Sequence, residues 1–147
     1  MPGPLPHYYT HRLTWIEDKK GRLSADALPN LEVATPPEFD GPQGFWSPEQ
    51  LFVASANACV MATFLAIAAN SKLAFKDYAG SATGKLEKVQ AGGMQITEIL
   101  IKVQLTLLQA RDREKAERVI IKAEENCLIS RSMKARVIVE PEIIVAG

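Results

Sequence analysis

At 147 residues the chain is long enough to build one domain with a core and too short for two, so a single domain over 1–147 is expected. Its 17 Lys and Arg balance its 17 Asp and Glu, and a net charge of zero argues against nucleic acid or an acidic membrane as partner. With 47% apolar and 23% charged residues, and two cysteines without CxxC spacing or a histidine cluster to complete a zinc site, it reads as an ordinary soluble protein.

The opening MPGPLPHYYTHR has no basic segment followed by an apolar one, so no secretory signal is read and the reducing cytoplasm is expected. Residues 7–16, HYYTHRLTWI, are aromatic and β-branched enough for a strand. His7 and His11 fall in that strand, and nothing ties either to a cysteine. EDKKGR follows as a polar turn, and LEVAT at 31–35 is expected to pair with the first strand. Next comes TPPEFDGPQGFWSP, a Pro- and Gly-rich loop that exposes Phe39, Phe45 and Trp46, of a length more often functional than idle.

Ser47 opens a helix. It suits the N-cap, Pro48 the first helical position, and Gln50 the far end of a capping box, while Glu49 sits where the helix dipole favours a carboxylate. The helix runs to about Asn70. From Leu51 to Ala69 it carries no charge, close to the length of a membrane span, but it is rich in alanine and interrupted by Ser55, Asn57 and Thr63. A central helix enclosed by protein on every side is the better reading, and one small chain can hardly wrap it alone.

Residues 78–89 and 94–107 form the two arms of a hairpin around Gln90–Gly93; AGGMQ is its turn and lacks the strand–loop–helix context of a nucleotide site. A second helix is expected from Asp112 to Cys127, with Ala116, Val119, Ile120, Ala123 and Cys127 as its apolar stripe. ARVIVEPEIIV at 135–145 is a last strand, where Pro141 marks an edge or a bulge. The order of elements is that of an α+β fold with antiparallel sheet.

Both cysteines point to the core, Cys59 from the first helix and Cys127 from the second. The residues alone leave two readings open, core filling and a reactive thiol. SPEQLFVASANACVMATF, followed by AEENCLISRSMKARVIVEPEI, resembles the OsmC/Ohr family of hydroperoxide-reducing proteins. Glu49 and Cys59 keep the family's ten-residue spacing, and Ala123, Glu124, Cys127 and Ser130 meet its second motif. The resemblance favours the reactive thiol and implies an OsmC-like fold, with antiparallel sheets around a buried central helix, in an intertwined homodimer.

It further implies a peroxidase that needs no cofactor. Cys59 as thiolate attacks an organic hydroperoxide and becomes a sulfenic acid. Cys127 condenses with it to a disulfide, which a dithiol, lipoyl-type or other, reduces. In the family an arginine paired with the motif glutamate activates the thiol. Here Lys19, Lys20 and Pro37 stand where its branches carry that arginine, which leaves Arg22 as the nearest substitute for pairing with Glu49. Leu128 replaces the proline usual after the second cysteine. The other reading is a non-enzymatic, stress-induced carrier of a small lipophilic ligand on the same fold.

Helix geometry bears on assembly. Ten residues separate Glu49 from Cys59 by about 15 Å along the helix and leave them off a common face. A pair at Glu49 would therefore reach Cys59 of a second subunit rather than its own, which again points to an obligate dimer with shared sites.

Overall fold

The computed structural model describes residues 3–147, which divide into two compact units, one ending at Leu51 and the other Phe52–Gly147.

The first unit is a three-stranded antiparallel sheet, β1 (Arg12–Glu17), β2 (Lys20–Ser24) and β3 (Leu31–Ala34), in the order β1-β2-β3. β1 begins at Arg12 rather than His7, and the polar turn shrinks to Asp18 and Lys19. Asp18 takes the left-handed conformation (φ 47°) that a tight turn demands, which lets KGRLS continue as strand. β3 therefore pairs with β2, Arg22 opposite Glu32, and not with the first strand as the sequence led us to expect. The loop after β3 returns to it: Trp46 bridges Val33, and Ala34 donates its N–H to the Trp46 carbonyl at 2.9 Å. Phe39 and Trp46 are exposed, while Lys20 Nζ stands 5.0 Å above the Phe45 ring.

α1 (Pro48–Asn70) starts as expected, its Ser47 Oγ accepting the Gln50 N–H at 3.0 Å. Only that half of the capping box forms, and Gln50 itself is exposed.

In the second unit the hairpin arms are β4 (Phe75–Lys88) and β5 (Met94–Leu107). Gly92 and Gly93 hold φ of 95° and 82° in the turn between them, where a side chain would be strained. After β5 come a single 3-10 turn (Ala110–Asp112), α2 (Arg113–Asn126), a short α3 (Leu128–Arg131) that the sequence did not announce, and β6 (Arg136–Val145).

The sheet order is β4-β5-β6, and β6 runs parallel to β5, so this sheet is mixed rather than wholly antiparallel. Residues 108–135 return the chain to the start of β5 before β6 begins, as a parallel neighbour requires. Pro141 lies opposite Val103 in an unbroken register, which makes β6 an edge strand without a bulge.

The core joins one face of α1 (Ala56, Val60, Phe64, Ala68) to inward-facing β5 (Ile99, Ile101, Val103, Leu105, Leu107) and to the predicted stripe of α2. Within one chain α1 is thus covered on one face only. Ala58, Met61, Ala62, Leu65, Ala66 and Ala69 remain exposed, contrary to the expectation of a helix enclosed all round. The helix is long and apolar enough to cross a membrane by length and composition, with a mean hydropathy of 2.0. Its buried residues, Ala56, Val60, Phe64 and Ala68, fall four apart and pack into the core of this unit.

Candidate functional site

Cys59 sits midway along α1, and Val60 beside it anchors the helix to Ile99 and Ile101. Cys127 follows the last residue of α2 and has left the helix, with an extended backbone (φ −70°, ψ 108°) that leads into α3. It is fully buried, whereas Cys59 keeps some exposure. Both thiols are free, they belong to one apolar cluster with Ala56, Ile129 and Met133, and each shifts the titration of the other. The structure thus brings together two cysteines 68 positions apart.

Their protonation differs. Burial raises the Cys59 thiol, but the Ile129 N–H, the Cys127 thiol, Thr63 and the Leu128 N–H together outweigh it, and Cys59 is held below its ordinary value. At Cys127 burial wins and the thiol is pushed up, despite the Ser130 hydroxyl and N–H, which favour its thiolate. A thiol shifted down beside one shifted up is the asymmetry that suits a nucleophile and a second thiol.

Two of the donors to Cys59 are backbone amides at the start of α3, Ile129 foremost, a source that composition cannot reveal. Leu128 contributes because it is not proline: the residue that departs from the family pattern supplies an N–H that proline lacks. Thr63, a polar break in the sequence of α1, lies four residues after Cys59 and so over it on the helix. Its hydroxyl donates to the Cys59 carbonyl at 2.8 Å, and its oxygen lies 3.9 Å from Sγ. Glu124 of the second motif has a structural task, accepting the Val139 N–H at 3.0 Å and so fixing β6.

The other two predicted residues are not joined. Arg22 extends across the strand pair toward Glu32 at 3.9 Å, both half exposed, as their register dictates. Glu49 Oε1 is buried and has no hydrogen-bond partner among the described residues. Nor, among the described residues, do any three of His, Cys, Asp and Glu gather as metal ligands.

Residues 41–142 match the family model described as OsmC-like protein. Among solved structures, the chain is similar to an OsmC-like protein of unknown function from Vibrio cholerae, with 21% identity, a TM-score of 0.85, and coverage of 93% of this chain and 100% of that one. It is similar at 25% identity to an organic hydroperoxide resistance protein OsmC from Legionella pneumophila (TM-score 0.68, 95% and 100% covered). The organic hydroperoxide resistance protein of Bacillus subtilis is likewise 25% identical (TM-score 0.65, 92% and 98% covered). No curated protein sequence matches the chain.

Proposed function

The chain belongs to the OsmC-like protein family, and from that premise we propose that it is a thiol-dependent peroxidase that reduces organic hydroperoxides. The observation that carries the reading is the pair of free thiols, one on α1 and one just past α2, in one apolar cluster, with the Cys59 thiol lowered and the Cys127 thiol raised from the ordinary value. The likeness to the organic hydroperoxide resistance proteins of Legionella and Bacillus supports the substrate class.

Cys59 thiolate attacks the distal peroxide oxygen, the O–O bond breaks, and the alkoxide takes a proton and leaves as alcohol. The Cys59 sulfenic acid then meets Cys127, a disulfide forms, and water departs. A dithiol restores both thiols. The apolar surroundings suit an alkyl hydroperoxide better than a strongly hydrated oxidant. A cytoplasmic setting suits the need for dithiol.

The working form in this reading is a homodimer. The exposed stripe of α1 is apolar, and Glu49 presents a buried oxygen without a donor. A second subunit would cover the one and answer the other. The reading assigns Arg22 to Glu49 in that assembly, since its present contact with Glu32 is long and weakly held.

The deciding experiment is consumption of cumene hydroperoxide with a dithiol present. Activity that is lost in Cys59→Ser supports peroxidase function. No consumption by the intact protein would leave the carrier reading.

A further inference from the structure

Among the described residues of Phe52–Gly147, two buried polar side-chain atoms hold no formed hydrogen bond, Tyr78 Oη and Ser130 Oγ. Ser130 is the one beside the thiol pair. Cys127 immediately precedes α3 and Ser130 is the third residue of that helix, a spacing at which N–H and side chain turn back toward the residue that starts the turn. With its hydroxyl otherwise uncommitted, Ser130 can give its proton to sulfur. Cys127 forms no side-chain cap bond as it stands, so both groups are free for it, and each would favour its thiolate.

Access to the two sulfurs also differs. Cys127 is 0% exposed and Cys59 is partly open. An attacking thiolate must reach the sulfur it bonds to and expel the other along the S–S axis.

We infer that Ser130 receives Cys127 as the leaving thiolate when the Cys59–Cys127 disulfide is reduced, so that the reductant bonds first to Cys59. The inference rests on the disulfide cycle proposed above. One sulfur of a dithiol attacks Cys59 Sγ as thiolate; the new S–S bond forms as the Cys59–Cys127 bond breaks, and its electron pair passes to Cys127 Sγ. The Ser130 Oγ–H and N–H hold that charge. The second thiol of the dithiol then loses its proton to Cys127, directly or through water, and attacks its own partner sulfur. Cys59 leaves as thiolate and the dithiol ends as a disulfide.

The test uses the full chain oxidised with diamide, which forms the disulfide without any peroxidase step. Brief exposure to 2-mercaptoethanol, quenching with N-ethylmaleimide and peptide mass analysis will place the mercaptoethanol adduct on Cys59 and the maleimide on Cys127. Ser130→Ala slows reduction of the diamide-made disulfide by dithiothreitol roughly tenfold, the loss of one hydrogen bond to a charged group, and Ser130→Thr restores it. An adduct on Cys127, an unslowed Ser130→Ala, slowing that Ser130→Thr does not restore, or no diamide disulfide would each overturn the inference. So would an equal slowing of Cys59 oxidation by hydroperoxide, which marks a purely structural role. The expected adduct and slowing in a protein that consumes no hydroperoxide would instead sink the peroxidase reading and leave this one standing.

Discussion

Cys59 and Cys127 differ by environment, not by chemistry, and their reactivity should separate accordingly. Cys59 is held below its ordinary thiol value, so its thiolate is populated at a pH where an unperturbed thiol is still protonated; Cys127, pushed up by burial, runs the other way. Alkylation of the reduced protein with iodoacetamide, followed by peptide mass across pH, should label Cys59 first and at the lower pH. Equal labelling rates would mean that the amides of α3 do not reach the sulfur. In Cys127→Ser the sulfenic acid loses its partner, and hydroperoxide should drive Cys59 on to sulfinic acid, a gain of two oxygens. Tyr78 offers a stability test at the same scale. Burial pushes its hydroxyl up to about 12, and Oη is buried without a partner. Removing an unsatisfied buried group is close to neutral or stabilising, so Tyr78→Phe should leave the melting temperature unchanged or raise it. A loss above about 1 kcal/mol would reveal a hydrogen bond at Oη.

Between elements, the close contact of α1 with β4 depends on two glycines. A Cβ at Gly84 would lie 2.4 Å from Val53 Cγ2, and one at Gly80 would lie 2.7 Å from Asn57 Oδ1, whose amide donates to the Gly80 carbonyl at 3.1 Å. The helix that carries Cys59 is seated on that contact. Gly84→Ala should cost about 1–3 kcal/mol by overpacking. In a double-mutant cycle with Val53→Ala part of that cost should return, with a coupling of at least about 0.5 kcal/mol in denaturant titrations. Additive effects would mean that the helix shifts freely. The entry to α1 was readable because the cap is local chemistry, with Ser47 three residues before the N–H it accepts. The pairing of β3 was not readable, because the polar run EDKKGR reads as turn throughout, whereas the bend takes only Asp18 and Lys19 and leaves the rest to β2.

For the molecule as a whole, the question is what covers α1. A helix apolar all round shows one face to its own sheet and leaves Met61 and Leu65 about 40% exposed. The homodimer proposed above predicts a sedimentation mass of two chains at micromolar concentration. A folded, active monomer would defeat it. Shared sites make a sharper prediction: mixing Glu49→Ala chains with Cys59→Ser chains should recover activity, since one site of the mixed dimer combines two intact halves. If each chain serves itself, mixing restores nothing.

Periodicity and local chemistry in the sequence alone determined the two main helices, the long hairpin and the apolar stripe of α2, because each is written over a few neighbouring residues; at Pro141 they left an edge or a bulge open. The resemblance carried by the two cysteine motifs singled out Cys59 and Cys127. Only the tertiary structure decided that β6 is parallel, that α3 exists, and that the amides of Leu128 and Ile129 and the side chain of Ser130 surround the thiols. The physical reason is that backbone donors are common to almost every residue type. Which thiol they serve depends on where a chain folded over 68 positions places them, and no local pattern encodes that distance.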